Sequence, residues 1–130
     1  MATRRDPVEV APHIYKVLME NERVRVMDVR MKPGAMSPLH SHPAVVGITL
    51  AGGKLKVMYA DREPMVVDSQ PGSVLWLDPQ THSVENVGAT ETHDVVVELK
   101  GSTAKQAKRR ERPKSRRTRR SASTRRARGR

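Results

Sequence analysis

The sequence predicts an all-β chain, a jelly-roll barrel followed by a disordered basic tail, on three observations. From Ile14 to Lys100 short β-branched runs are broken by turn signals every 8 to 14 residues. No stretch carries a helical apolar period. Near Gly101 the composition changes abruptly, which sets a domain of residues 1–103 against a tail of residues 104–130.

The expected strands are Ile14 to Met19, Val24 to Met31, Val45 to Leu50, Lys54 to Ala60, Met65 to Asp68, Val74 to Leu77, His82 to Val87 and Val95 to Lys100. Between them, segments such as Lys32-Pro33-Gly34, Ala51-Gly52-Gly53 and Gln70-Pro71-Gly72 supply the fixed or positive φ angles that interrupt a ladder. Eight short, evenly spaced strands suit a closed barrel or jelly roll, which deals with exposed strand edges. In Val95-Val96-Val97-Glu98-Leu99-Lys100 the charges are read as the outer face, so Val95, Val97 and Leu99 are expected inside. Strand Val24 to Met31 keeps no single phase, which implies a bulge or burial on both faces.

Residues 1–103 hold 11 Lys and Arg against 13 Asp and Glu, whereas residues 104–130 hold 14 against 1. The net charge of +11 therefore lives in the tail, and the barrel is slightly acidic. Residues 104–130 contain no Val, Ile, Leu, Met or aromatic residue, so they are expected to be disordered. Without interleaved aromatics, any nucleic acid they contact would be bound through phosphates alone, without sequence preference.

The absence of cysteine excludes disulfides, thiolate metal sites and a cysteine nucleophile. No apolar run is long enough to span a bilayer or act as a signal peptide, so a cytoplasmic location is expected. With no Phe and a single Trp, the interior must be filled by Val, Leu, Ile and the seven Met.

His40-Ser41-His42 places two imidazoles on one face of an extended strand, and His82 opens another strand after the turn at Pro79. A barrel can bring the three together as ligands for one ion. Gly34, five residues, His40, one residue, His42 and then Gly53 resemble the first motif of the cupins. His82 and Asn86 resemble the end of the second. The resemblance covers about Val24 to Lys100 and implies the double-stranded β-helix of RmlC-like cupins, with one divalent metal inside the barrel and a homodimer as partner state.

Two departures qualify what the resemblance implies. Val46 stands where the family carries its metal-binding Glu, and its parity with His42 gives the site an apolar wall. The second motif's turn is shortened to Pro79-x-x-His82. A set of three neutral His ligands favours Fe, Ni, Zn or Cu over Mn. Gln80, Asn86, Val46 and Trp76 are the candidate pocket residues, with Asn86 also suited to bonding a turn. His93 is expected outside the site, because a hairpin of His82 to Val87 with Thr92 to Lys100 would put it opposite Asn86. The surviving functions are a metal-dependent cupin oxygenase or isomerase acting on a small organic molecule, and a non-catalytic binding or sensor cupin; no catalytic acid or base is identifiable beyond the ligands.

Overall fold

The computed structural model describes residues 5–101. The basic segment 104–130, and whatever it binds, lies outside the described residues. A short helix α1 (Pro7–Val10) opens the chain, with Asp6 as its cap accepting from the Val8 N–H at 2.8 Å and Pro7 at its first position. Nine strands follow: β1 (Tyr15–Glu20), β2 (Val24–Met31), β3 (Met36–His42), β4 (Val45–Ala51), β5 (Gly53–Tyr59), β6 (Met65–Ser69), β7 (Val74–Leu77), β8 (Gln80–Asn86) and β9 (Thr92–Leu99). They form two antiparallel sheets, in the orders β1-β2-β9-β4-β7 and β3-β8-β5-β6, packed face to face as a jelly roll. Among the described residues no helix is long and apolar enough to cross a membrane.

All eight expected strands correspond to observed ones, with β8 and β9 starting earlier than expected, while β3 was not among them. Pro38 and the extra residue beside it hid it: the β3–β8 register shifts between Ser37 and His40, the kind of bulge where a sheet tolerates proline. Gly34, at φ +84°, makes the left-handed turn that leads into β3.

The expected hairpin of the last two strands does not form. β8 pairs with β3 and β5, whereas β9 pairs with β2 and β4, so they lie in opposite sheets. The faces of β9 are also the reverse of the expectation. Thr92, Asp94, Val96 and Glu98 point inward, and Val95, Val97 and Leu99 outward, because Glu98 has buried partners that make an interior carboxylate tolerable. The ambiguity in β2 resolves through its neighbour: β2 pairs with β9 without a break, and the bulge sits in β1, where Leu18 has no partner.

Ala11, Ile14, Tyr15, Met27, Val29, Met31 and Val84 form the buried core at one end of the barrel. Each larger apolar side chain there contributes about 1.5–3 kcal/mol by leaving water. Because this core welds β1 and β2 to β8, it fixes Tyr15 and the His82 strand relative to one another.

Candidate metal centre

The two histidines of β3 alternate with Ser41, whose hydroxyl bonds Thr81 Oγ1 at 2.8 Å on the other face of the sheet. That alternation turns His40 and His42 inward together. The β3–β8 register sets His82 directly across from His40, and Gln80 across from His42. The three imidazoles cluster with ring centroids 4.8 Å (His40–His42), 4.7 Å (His40–His82) and 5.2 Å (His42–His82) apart. One ligand nitrogen from each lies within 4.8 Å of the others, and all three residues are buried.

Each ring is held by an acceptor at Nδ1. His40 Nδ1 donates to the Pro38 carbonyl at 2.6 Å, His42 Nδ1 to Glu98 Oε2 at 2.7 Å and His82 Nδ1 to Gln80 Oε1 at 2.6 Å. The Gln80 amide is itself oriented by donating from Nε2 to the Asp78 carbonyl at 3.2 Å, which turns its oxygen toward His82. A carbonyl, carboxylate or amide oxygen has no proton to give. The proton therefore sits on Nδ1 of every ring, and every Nε2 keeps a lone pair, which on His40 accepts from the Tyr15 hydroxyl at 3.2 Å. Burial, reinforced by the neighbouring imidazoles, pushes His82 down to about 3; burial likewise lowers His40 to about 4 against the opposing pull of the Pro38 carbonyl. Both are neutral at pH 7, the state a metal ligand needs. The donor set fits a divalent ion of intermediate softness.

Glu98 is the residue that sequence reasoning missed. Its side chain is 6% exposed, and while Oε2 holds His42, Oε1 takes Arg25 Nη2 at 2.9 Å. Arg25 in turn grips Asp6 with 3.0 and 3.1 Å bonds, so a chain of charges runs from the cap of α1 to the His42 imidazole. The signal lay in β9 itself: Asp94 and Glu98 share parity, a pattern compatible with either face, and it was assigned to the outer one on charge alone. Tyr15, given no role by the sequence, also belongs here. Its hydroxyl is 3.2 Å from His40 Nε2, and Ser37 Oγ donates to it at 3.3 Å. Burial pushes the Tyr15 phenol up to about 12, so it stays a donor at neutral pH.

Beyond the triad the barrel encloses a cavity of about 180 Å³, lined by Tyr15, His42 and His82 at one end and by Thr49, Ser69 and Asp94 among its remaining walls. Of the expected pocket residues, Gln80 lines it. Val46 does not: Val45, Gly47 and Thr49 face the cavity, and Val46 sits on the opposite face between Trp76 and Val97. The turn at Pro43-Ala44 carries the chain from one sheet to the other, so parity counted from His42 does not survive it. Trp76 is 51% exposed on that same outer face, its indole N–H donating to Asp78 at 3.0 Å. Asn86 is 1% exposed and serves a turn, donating to the Met31 and Thr90 carbonyls and accepting from the Gly88 N–H. His93 lies outside the triad as expected, though for another reason: it pairs with Asp28 at 2.6 Å beside β2.

No family model matches the sequence, and no curated protein matches it. Solved structures do. A cupin domain from Bordetella pertussis superposes with a TM-score of 0.63 at 24% identity, over 78% of this chain and 100% of its own. A double-stranded β-helix protein from Klebsiella pneumoniae gives 0.56 at 21%, covering 70% and 79%. An RmlC-like cupin from Methanocaldococcus jannaschii gives 0.55 at 18%, covering 66% and 78%. The two-sheet barrel is therefore the RmlC-like cupin fold. Within that fold this chain has a buried cluster of three His compatible with a metal ion.

Proposed function

We propose that this chain is a metal-binding cupin that holds one divalent ion through Nε2 of His40, His42 and His82 and acts there on a small organic molecule. One observation carries the reading: all three Nδ1 atoms are bonded to acceptors, so each ring keeps an unprotonated Nε2, and the three buried rings offer ligand atoms within 4.8 Å of one another. Surface histidines have no reason to be organised this way. Iron, nickel, zinc or copper suits three neutral nitrogens better than manganese. When bound, such an ion would supply Lewis-acid polarisation or dioxygen chemistry at its open positions.

The chain's own residues do the rest. Glu98 makes His42 a stronger donor, Gln80 and Pro38 fix the other two rings, and Tyr15 offers a proton donor beside His40. The apolar walls exclude water around a small ligand. The sequence expectations of a dimer, a cytoplasmic location and sequence-blind nucleic-acid contact by the tail remain part of this proposal.

A second reading is favoured by a specific feature: the hydroxyls against His40, those of Ser37 and of Tyr15 with its phenol raised to about 12, are poor acids or bases at neutral pH. A barrel so equipped suits holding a ligand without turnover. The metal-loaded protein, tested for oxygen uptake and product formation with thiols, diketones and small organic acids, separates the two. Turnover that disappears in His82→Ala supports the enzyme; bound metal without turnover supports the binding module.

A further inference from the structure

The cavity has a second polar pole that the metal reading does not use. In the first sheet, Tyr15, Val29, Asp94 and Thr49 form one row across β1, β2, β9 and β4, and all four line the cavity. Tyr15 reaches the triad from one end of this row. Asp94 sits two strands away, about 10 Å between Cα atoms, since neighbouring strands are ~4.8 Å apart. Along β9 it is four residues from Glu98, about 13 Å at ~3.3 Å per residue.

Asp94 is the only acid among the described residues that line the cavity, and no Lys or Arg lines it. Its neighbours there are largely apolar, including Val29, Val67 and Val96, and its side-chain partner is Thr49. A half-buried carboxyl beside one hydroxyl, with no Lys or Arg among the residues lining the cavity, keeps acceptor capacity that a ligand can fill. Burial raises Asp94 from its ordinary value, against the pull of Thr49 and His93. Leu75, on edge strand β7, lines the cavity and is also 52% exposed.

We propose that Asp94, with Thr49 beside it, is the second anchor of the ligand site and receives the ammonium group of a short amine-bearing molecule whose other end, an anionic oxygen group, reaches the metal. This deepens the proposed function and rests on it for the metal-bound end alone. A ligand with an ammonium at one end and a carboxylate at the other matches both poles. A dicarboxylate does not, because its second negative charge would meet Asp94 with no cation to neutralise it. The volume of about 180 Å³ limits the ligand to a small molecule.

The test is calorimetric titration of the metal-loaded protein with ω-amino acids of three to five carbons, beside alkanoates and dicarboxylates of equal length. The ω-amino acids should bind at least tenfold tighter than either competitor. In Asp94→Asn that preference should vanish while metal content and cooperative unfolding are retained. Equal affinities across the three classes, or an unchanged preference in Asp94→Asn, would overturn the inference. If the protein takes up no metal, the metal reading fails and the Asp94 anchor is judged separately with linear alkylamines on the metal-free protein. Binding by the parent and not by Asp94→Asn then upholds the anchor, and no difference between them refutes it.

Discussion

Replacing Glu98 tests how far the buried charge chain controls the metal centre. Glu98→Ala removes three contacts at once: the 2.7 Å bond that holds His42 Nδ1 and the two, at 3.0 Å from Nε and 2.9 Å from Nη2, that hold Arg25. Loss of an anionic partner behind a ligating imidazole costs about 10- to 100-fold in metal affinity, because the ring is both less basic and free to turn. The stability cost has a different origin. A fully orphaned buried charge costs ~3–5 kcal/mol, but Arg25 keeps Asp6, whose side chain is 36% exposed, so about 2 kcal/mol is expected. For a domain of this size that lowers Tm by roughly 10 °C. Glu98→Gln preserves an acceptor for His42 and should lose only about tenfold in affinity. Asp6→Asn should lower stability and leave affinity nearly unchanged, since it touches Arg25 but not His42. Chelator-competition titration and calorimetry on the three variants read both quantities. A folded Glu98→Ala that binds metal as tightly as the parent would refute the role given to Glu98.

The ligand assignment predicts that His42→Ala or His82→Ala abolishes stoichiometric metal and His93→Ala does not, as elemental analysis will show; metal retained in both ligand variants would contradict it. Because Val46 faces away from the cavity while an added Cβ at Gly47 meets nothing within 4 Å, Val46→Glu should leave metal preference unchanged and Gly47→Glu should shift it toward manganese, measured by competitive metal titration. In the metal-free protein His40 and His82 lie below their unfolded value of about 6.5, so the unfolded chain binds more protons in acid. Stability is then full above pH 6.5 and falls as pH drops toward about 4, with a loss on the order of 3 kcal/mol by pH 5 in denaturant titrations. Asn86→Ala strands the Met31 and Thr90 carbonyls and the Gly88 N–H, and should cost about 3 kcal/mol in the same assay without changing metal content.

Much of this was legible in the sequence because turns and β-branched runs are local signals. The histidine cluster was legible as well: His40 and His42 are a local pair, and His82 opens a strand that a barrel can bring opposite them, as the resemblance to the cupin motifs also implies. What failed was whatever depended on which strands meet. Counting parity from His42 to Val46 crosses a change of sheet, and the register of β9 cannot be read without knowing that β2 and β4, rather than β8, are its neighbours. Glu98 was misassigned for a physical reason, since a charge in a strand is normally solvated. Here Arg25 and His42 offset its burial, and both lie far from it in the chain. Pro38 concealed β3 because a proline in a strand ordinarily argues against one, and only the bulge makes it acceptable.

X-ray absorption at the metal edge of the loaded protein tests the central claim most directly. The geometry predicts one ion with three imidazole nitrogens, at about 2.0–2.1 Å for zinc. In His40→Ala, His42→Ala and His82→Ala each spectrum should lose one imidazole or the bound ion altogether. A parent spectrum with fewer than three imidazoles, or one unaltered by these substitutions, would contradict it.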